Sequence, residues 1–195
     1  MNRLFPLILV ALLSSTVFAQ GDVERIKPMV KDGRCSDAIG PLYKIYSSSF
    51  SKPEGEKAAV MLTECYLRGH KRNEAHDVAS RFLEYHVKSA YRERMELARA
   101  IVDVERGSVF DGVEAMLRVL SYSTNPAARS RAKDVVIQTL AASLLNAEQL
   151  QSLLEKYPVD REVMGWMQLQ LGRECQNAMP SFFSLRPHTS SSNTM

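Results

Sequence analysis

The 195-residue sequence lacks the short motifs that mark common catalytic and cofactor sites. It contains no Gly-x-Ser-x-Gly sequence, no phosphate-binding Gly-x4-Gly-Lys loop, no His-Glu-x-x-His and no Cys-x2-Cys pair. Its many carboxylates stand among lysines and arginines at helical spacing, which is typical of a solvated helix face. We therefore expect no enzymatic activity, no catalytic residues and no cofactor.

Histidine is also scarce, and three of the four histidines fall near one another, at His70, His76 and His86. Glu74 and Asp77 lie beside them, which raises the question of a metal site. Zinc needs three or four ligands that converge on one point, whereas His76 and His86 do not share a close helical face with His70 and Glu74. The pattern favours surface histidines and no bound metal.

The sequence has no block of basic residues. Its 25 lysines and arginines alternate closely with 22 acidic residues, as in Arg92–Glu93–Arg94. A surface for nucleic acid or an anionic membrane requires clustered basic residues. We therefore expect no nucleic-acid partner.

An apolar run long enough to cross a membrane is missing too. The longest run is Leu4 to Leu13, ten residues, against the roughly 20 that a spanning helix requires. Arg3 precedes it, and Val17-Phe18-Ala19 follows as a small-x-small cleavage pattern. The sequence predicts a signal peptide over residues 1–19 that is cleaved before Gln20. An uncleaved N-terminal anchor is the alternative.

No cysteine lies near this cleavage site, so a lipid anchor is not expected, and the mature protein should have no stable membrane anchor. The segment is short and in this respect resembles bacterial signal peptides. That resemblance implies a periplasmic or secreted protein.

Patterning typical of β-strands is rare beyond the signal, whereas apolar residues recur at three- and four-residue spacings. This predicts an all-α fold. Gly33, Gly69, Gly107 and Leu144 serve as turn positions, each followed by matching apolar positions, and they are 36, 38 and 37 residues apart. A period of this size suits paired antiparallel helices stacked as a solenoid. The alternative is an irregular helical bundle.

Two of these units carry a family resemblance. Leu62-x-x-Cys65-Tyr66-x-x-Gly69 followed by Glu74-Ala75 and Phe82, and Gly107-x4-Gly112-x3-Met116, resemble degenerate tetratricopeptide (TPR) repeats, here of the bacterial cell envelope. The resemblance covers roughly residues 22–158. It implies a TPR-like solenoid of about four helix pairs whose first helices line a concave groove for a protein or peptide partner.

Polar positions on the predicted first helices are the candidates for that groove, namely Arg94, Arg99 and Asp103. The sequence therefore predicts an exported protein-binding or peptide-binding scaffold of the cell envelope.

The C-terminal part predicts one further helix, over residues 161–178, with Met164, Met167, Leu171 and Cys175 on one stripe. This helix is expected to cap the repeat domain of residues 20–179, and residues 180–195 are expected to be a disordered tail. Trp166 on the same helix is expected in the core, with an exposed binding position as the alternative. The layout also resembles the N-terminal helical region of longer periplasmic proteins, in which a binding-protein-like domain follows, as in peptidoglycan-synthase activators. A truncated protein of that kind is the alternative function.

The three cysteines are Cys35, Cys65 and Cys175. In a stack of helix pairs, Cys35 and Cys65 fall at the same edge of adjacent helices, so an export signal makes a disulfide between them plausible. Two buried thiols are the alternative.

Overall fold

The computed structural model describes residues 18–158 and 160–178, and all regular structure in these ranges is α-helical. The prediction of an all-α fold is confirmed for this part of the chain. Residues 1–17 of the predicted signal peptide and the predicted tail at 180–195 lie outside the described residues. The described helices are α1 (Phe18–Lys31), α2 (Cys35–Ser48), α3 (Pro53–Arg68), α4 (Arg72–Tyr85), α5 (Arg92–Glu105), α6 (Val109–Tyr122), α7 (Pro126–Ala141), α8 (Ala147–Lys156) and α9 (Arg161–Ala178).

Helix starts follow local chemistry at several points. Pro53 and Pro126 occupy the first turns of α3 and α7, where a missing backbone N–H costs no helical hydrogen bond. The Asn125 side chain accepts hydrogen bonds from the first backbone N–H groups of α7. Asn146 and Gln149 form a reciprocal capping box at the start of the short helix α8.

Each turn between paired helices contains one residue in the left-handed backbone region: Gly33 (φ 78°), His70 (φ 55°), Gly107 (φ 93°) and Ser143 (φ 53°). These residues are 37, 37 and 36 residues apart. Gly69, the position predicted from sequence, instead has a φ of −87°, so that prediction was wrong by one residue. Histidine is among the residues that tolerate this region better than most.

The first three of these turns share one hydrogen-bonding pattern. In each, the N–H just after the left-handed residue donates to a carbonyl five residues earlier, as in a Schellman motif. The three bonds are Arg34 to Met29 (2.8 Å), Lys71 to Tyr66 (2.9 Å) and Ser108 to Asp103 (2.9 Å).

Each helix from α1 to α6 packs against the next helix in sequence, and the odd-numbered helices also contact one another in a row from α1 to α9. The last helices depart from this order, because α7 and α8 both pack against α9. Buried apolar side chains form two clusters. One lies mainly among α1 to α4 and the other among α5 to α9, and Leu67 packs against both.

On α9 the buried stripe differs from the predicted one. Val163, Met167 and Gln170 are buried, whereas Met164 and Cys175 are exposed. Compared with the prediction, the helix is rotated about its axis by about one residue position, and this rotation turns Gln170 inward. Its Nε2 donates to the Leu145 carbonyl in the loop before α8 over 2.8 Å, whereas its Oε1 has no hydrogen-bond partner within the described residues.

Candidate binding groove

A groove runs across three of the odd-numbered helices, α3, α5 and α7, and we call it the central groove. Its cavity volume is about 410 Å³, within the range of roughly 300–1,000 Å³ that is common for ligand-binding clefts. Its wall is largely apolar and includes Val60, Leu67, Leu97, Ala98, Ile101 and Ala128. An apolar cleft with few polar groups is the usual form of a binding site.

Two carboxylates in the groove wall already have partners within the protein. Glu64 on α3 lies 2.8 Å from the Arg94 guanidinium on α5 and 3.4 Å from that of Arg68. Glu93 accepts a hydrogen bond from the Ser123 hydroxyl. Glu64 is therefore compensated by two guanidinium groups, whereas Glu93 has only a neutral hydroxyl as its partner.

Basic residues recur at one register position on the helices of this row. Lys57 on α3, Arg94 on α5 and Arg131 on α7 are successively 37 residues apart, which is the spacing of the turns. Lys57 lies 3.8 Å from Glu24 on α1, and Arg94 pairs with Glu64 on α3. Arg131 lines the groove and is exposed, and no carboxylate of residues 18–158 or 160–178 lies within ion-pairing distance of it.

Thr63 is a second polar group in the groove wall without a partner. The residue is only 1% exposed, and its Oγ1 makes no hydrogen bond within the described part of the chain. Thr139 on α7 behaves differently, because its Oγ1 donates to the Val135 carbonyl over 2.8 Å. An unpaired buried hydroxyl costs about 1–3 kcal/mol, so Thr63 is a locally destabilising group in this wall.

The structure divides the three residues expected from sequence to line a groove. Arg94 lines the central groove, whereas Arg99 and Asp103 do not contribute to it. With about 100° of rotation per residue, positions five and nine further along α5 point well away from Arg94. Asp103 lies 3.5 Å from His76 of α4 and 3.9 Å from Arg99. Burial raises the pKa of the Asp103 carboxyl, and His76 and Arg99 oppose that rise.

Sequence reasoning missed Arg131 and Thr63. Arg131 has a signal in the sequence, because it follows Arg94 by the period of the repeat. Thr63 has none, since its significance depends on a missing hydrogen bond that only the packed structure reveals.

The histidines occupy three different environments. His70 is exposed in the turn between α3 and α4, and His76 is partly exposed on α4. His86 contradicts the prediction of a surface residue. Its ring is packed between Phe50 and Phe82, 4.7 Å from each ring centre, and its Nδ1 lies 3.4 Å from Glu56. No group of three candidate metal ligands occurs in residues 18–158 and 160–178.

Cys35 and Cys65 are joined as a disulfide, with their Cα atoms 5.0 Å apart. The bond connects the first turn of α2 to the last turn of α3. Cys175 is exposed on α9 and forms no disulfide within the described residues. Trp166 is half-buried and packs against the second apolar cluster.

Comparison with known proteins gives no relative from which a function can be transferred: no family model, curated protein or solved structure matches the chain. None of the helices in residues 18–158 and 160–178 is long and apolar enough to span a membrane. The groove itself is therefore the feature from which a function can be inferred.

Proposed function

We propose that the protein is a scaffold that binds a protein or peptide segment in the central groove, and that its helices form a TPR-like solenoid. Three observations support the solenoid: a left-handed turn residue about every 37 residues, the shared pattern of turn hydrogen bonds, and the contacts between successive odd-numbered helices. In such a stack the row of first helices provides an extended surface for a partner.

The observation that carries the binding proposal is an open, apolar cleft on that row. Val60, Leu97 and Ile101 are buried or nearly so yet line a cavity of about 410 Å³. An apolar-walled cleft of this size gains free energy when an apolar side chain replaces its water. No catalytic grouping accompanies the cleft, so binding is its proposed role.

A steric block at the groove wall tests this proposal. Ala98 lies in the middle of α5 and is only partly exposed in the cleft, so Ala98→Arg should fill the cleft while the guanidinium reaches water. Peptides selected on the wild-type protein from a random library displayed on phage should bind this variant at least about tenfold more weakly, a loss of about 1.4 kcal/mol.

The matched control is Ala142→Arg, which adds the same side chain at an exposed position at the end of α7. It should bind the selected peptides like the wild type. Equal binding by Ala98→Arg, in a variant whose circular dichroism is unchanged, would overturn the groove as the binding site.

We further propose that the protein is exported to a periplasm or out of the cell. The N-terminal sequence supports this, and so does the Cys35–Cys65 disulfide, because disulfides persist mainly in oxidising compartments. Bacterial fractionation followed by mass spectrometry provides the test. The expected product begins at Gln20 in the periplasmic or extracellular fraction, and an intact Met1 in the cytosol would contradict it.

A further inference from the structure

We infer that the segment bound in the central groove carries an acidic side chain, which pairs with Arg131. This inference rests on the proposed function, and it specifies the chemistry of the partner. It depends on the basic residues at the repeated position and on the apolar side chains of the groove wall.

The repeated basic position provides the first step. Lys57 and Arg94 each pair with a carboxylate on the odd-numbered helix before their own, namely Glu24 on α1 and Glu64 on α3. Arg131 holds the same position on α7, but the residue on α5 that follows Glu64 by 37 residues is Ile101. Unlike the first two basic residues, Arg131 therefore has no carboxylate partner on the odd-numbered helix before its own.

The remaining charges of the groove do not compensate Arg131. Glu64 is shared by two guanidinium groups, those of Arg68 and Arg94, and Glu93 is occupied by the Ser123 hydroxyl. An incoming carboxylate would meet one unpaired guanidinium beside apolar surface. A charge-assisted, two-pronged pair between arginine and a carboxylate is among the strongest hydrogen-bonded contacts in proteins. A basic ligand attracted to Glu64 would have to displace its ion pairs with Arg68 and Arg94.

The groove wall specifies the form of the ligand. Leu97 and Ile101 line the cavity on α5, and Arg131 lines it on α7. An extended peptide segment can bury an apolar side chain against Leu97 and Ile101 and present Asp or Glu to Arg131.

Charge reversal tests the inference. Peptides selected from the random phage library on the wild-type protein should be enriched in Asp or Glu next to apolar residues. Measured by fluorescence anisotropy as synthetic peptides with blocked ends, they should bind Arg131→Glu about tenfold more weakly or worse. Arg99→Glu makes the same change of charge on α5 outside the groove, and it should leave the affinity nearly unchanged.

The outcomes distinguish this inference from the proposed function. Peptides that Ala98→Arg rejects, but that lack acidic residues or bind Arg131→Glu as well as the wild type, would overturn the acidic partner and keep the groove. If no selected peptide is sensitive to Ala98→Arg, the binding groove fails and the acidic partner fails with it.

Discussion

The first boundary between helix pairs is closed differently from the next two. Between α2 and α3 the two ends of the interface are fixed by the Cys35–Cys65 disulfide and by close backbone packing, where the Cα of Gly55 faces the Ser49 carbonyl. The boundaries from α4 to α5 and from α6 to α7 use hydrogen-bonded side chains instead. The same repeat has thus been joined by two kinds of chemistry.

The two later boundaries share a polar arrangement with the period of the turns. At each, a serine hydroxyl donates to a glutamate of the preceding odd-numbered helix, and an arginine donates to the last turn of the preceding even-numbered helix. The pairs are Ser89–Glu56 and Arg92–Leu83 at one boundary, and Ser123–Glu93 and Arg129–Leu120 at the other. Each glutamate, leucine and arginine recurs after 37 residues.

At the first boundary, Gly55 occupies the position of Arg92 and Arg129 in this period. A Cβ at Gly55 would lie 1.9 Å from the Ser49 carbonyl oxygen, so no side chain fits there. The absence of an arginine is therefore coupled to a closer approach of the two backbones. Where the repeat lacks the serine–glutamate and arginine–carbonyl bonds, it has close backbone packing and a covalent bond instead.

Among the changes that test this difference between the boundaries, removal of the disulfide should lower the free energy of unfolding the most. The bond closes a loop of 30 residues, for which chain entropy predicts a stabilisation of about 3–4 kcal/mol. The double change Cys35→Ala and Cys65→Ala should lower the free energy of unfolding in urea by about that amount. Hydrogen exchange should accelerate first in α2 and α3, at the first boundary.

Cys175→Ala is the control for this experiment, because Cys175 is exposed and forms no disulfide within the described residues. It should leave the unfolding free energy nearly unchanged. If the double variant is as stable as the wild type, the disulfide adds nothing at the first boundary. The first boundary would then differ from the later two only in close packing against hydrogen bonding.

The sequence is informative about the repeat wherever one residue type is required. Gly33 and Gly107 were predicted as turn residues and have the expected left-handed backbone, since glycine adopts it without steric cost. His70 and Ser143 hold the same conformation in the other two turns. Neither residue type demands that conformation, so the pattern placed the turns at Gly69 and Leu144, each off by one residue.

The residues that line the groove were predictable only in part, because apolar periodicity does not fix which polar side chains share a face. Apolar periodicity identifies which helices face each other, and of the three predicted residues Arg94 lines the central groove. Arg99 and Asp103 lie outside the groove, because rotation along α5 separates them from Arg94, and Asp103 instead lies beside His76 of α4. The polar boundaries were missed because the period had been followed through apolar positions only, although Glu56 and Glu93 repeat it as well.

The second expected effect concerns the backbone packing at Gly55. Gly55→Ala should destabilise the protein by about 3 kcal/mol, near the upper end of the usual cost of overpacking, because the obstacle is a backbone carbonyl. Gly40→Ala is a matched control within α2, where an added Cβ meets nothing within 4 Å. That change should instead stabilise the helix by about 0.5–1 kcal/mol. Urea unfolding of both variants checks the contrast, and equal effects would show that the first boundary is not closely packed.

The smallest effect should come from the polar boundary between α6 and α7. Ser123 is buried, accepts a hydrogen bond from the Asn125 N–H over 3.1 Å and donates to Glu93. Ser123→Ala leaves that carboxylate without its hydroxyl partner and should cost about 1.5 kcal/mol, the lower range for a hydrogen bond to a charged group. Ser121→Ala, two residues earlier, removes an exposed hydroxyl bonded to the Arg118 carbonyl and should cost much less. If both serine variants unfold at the wild-type urea concentration, the repeated serine and glutamate pair contributes no stability, and the later boundaries are held by their apolar contacts alone.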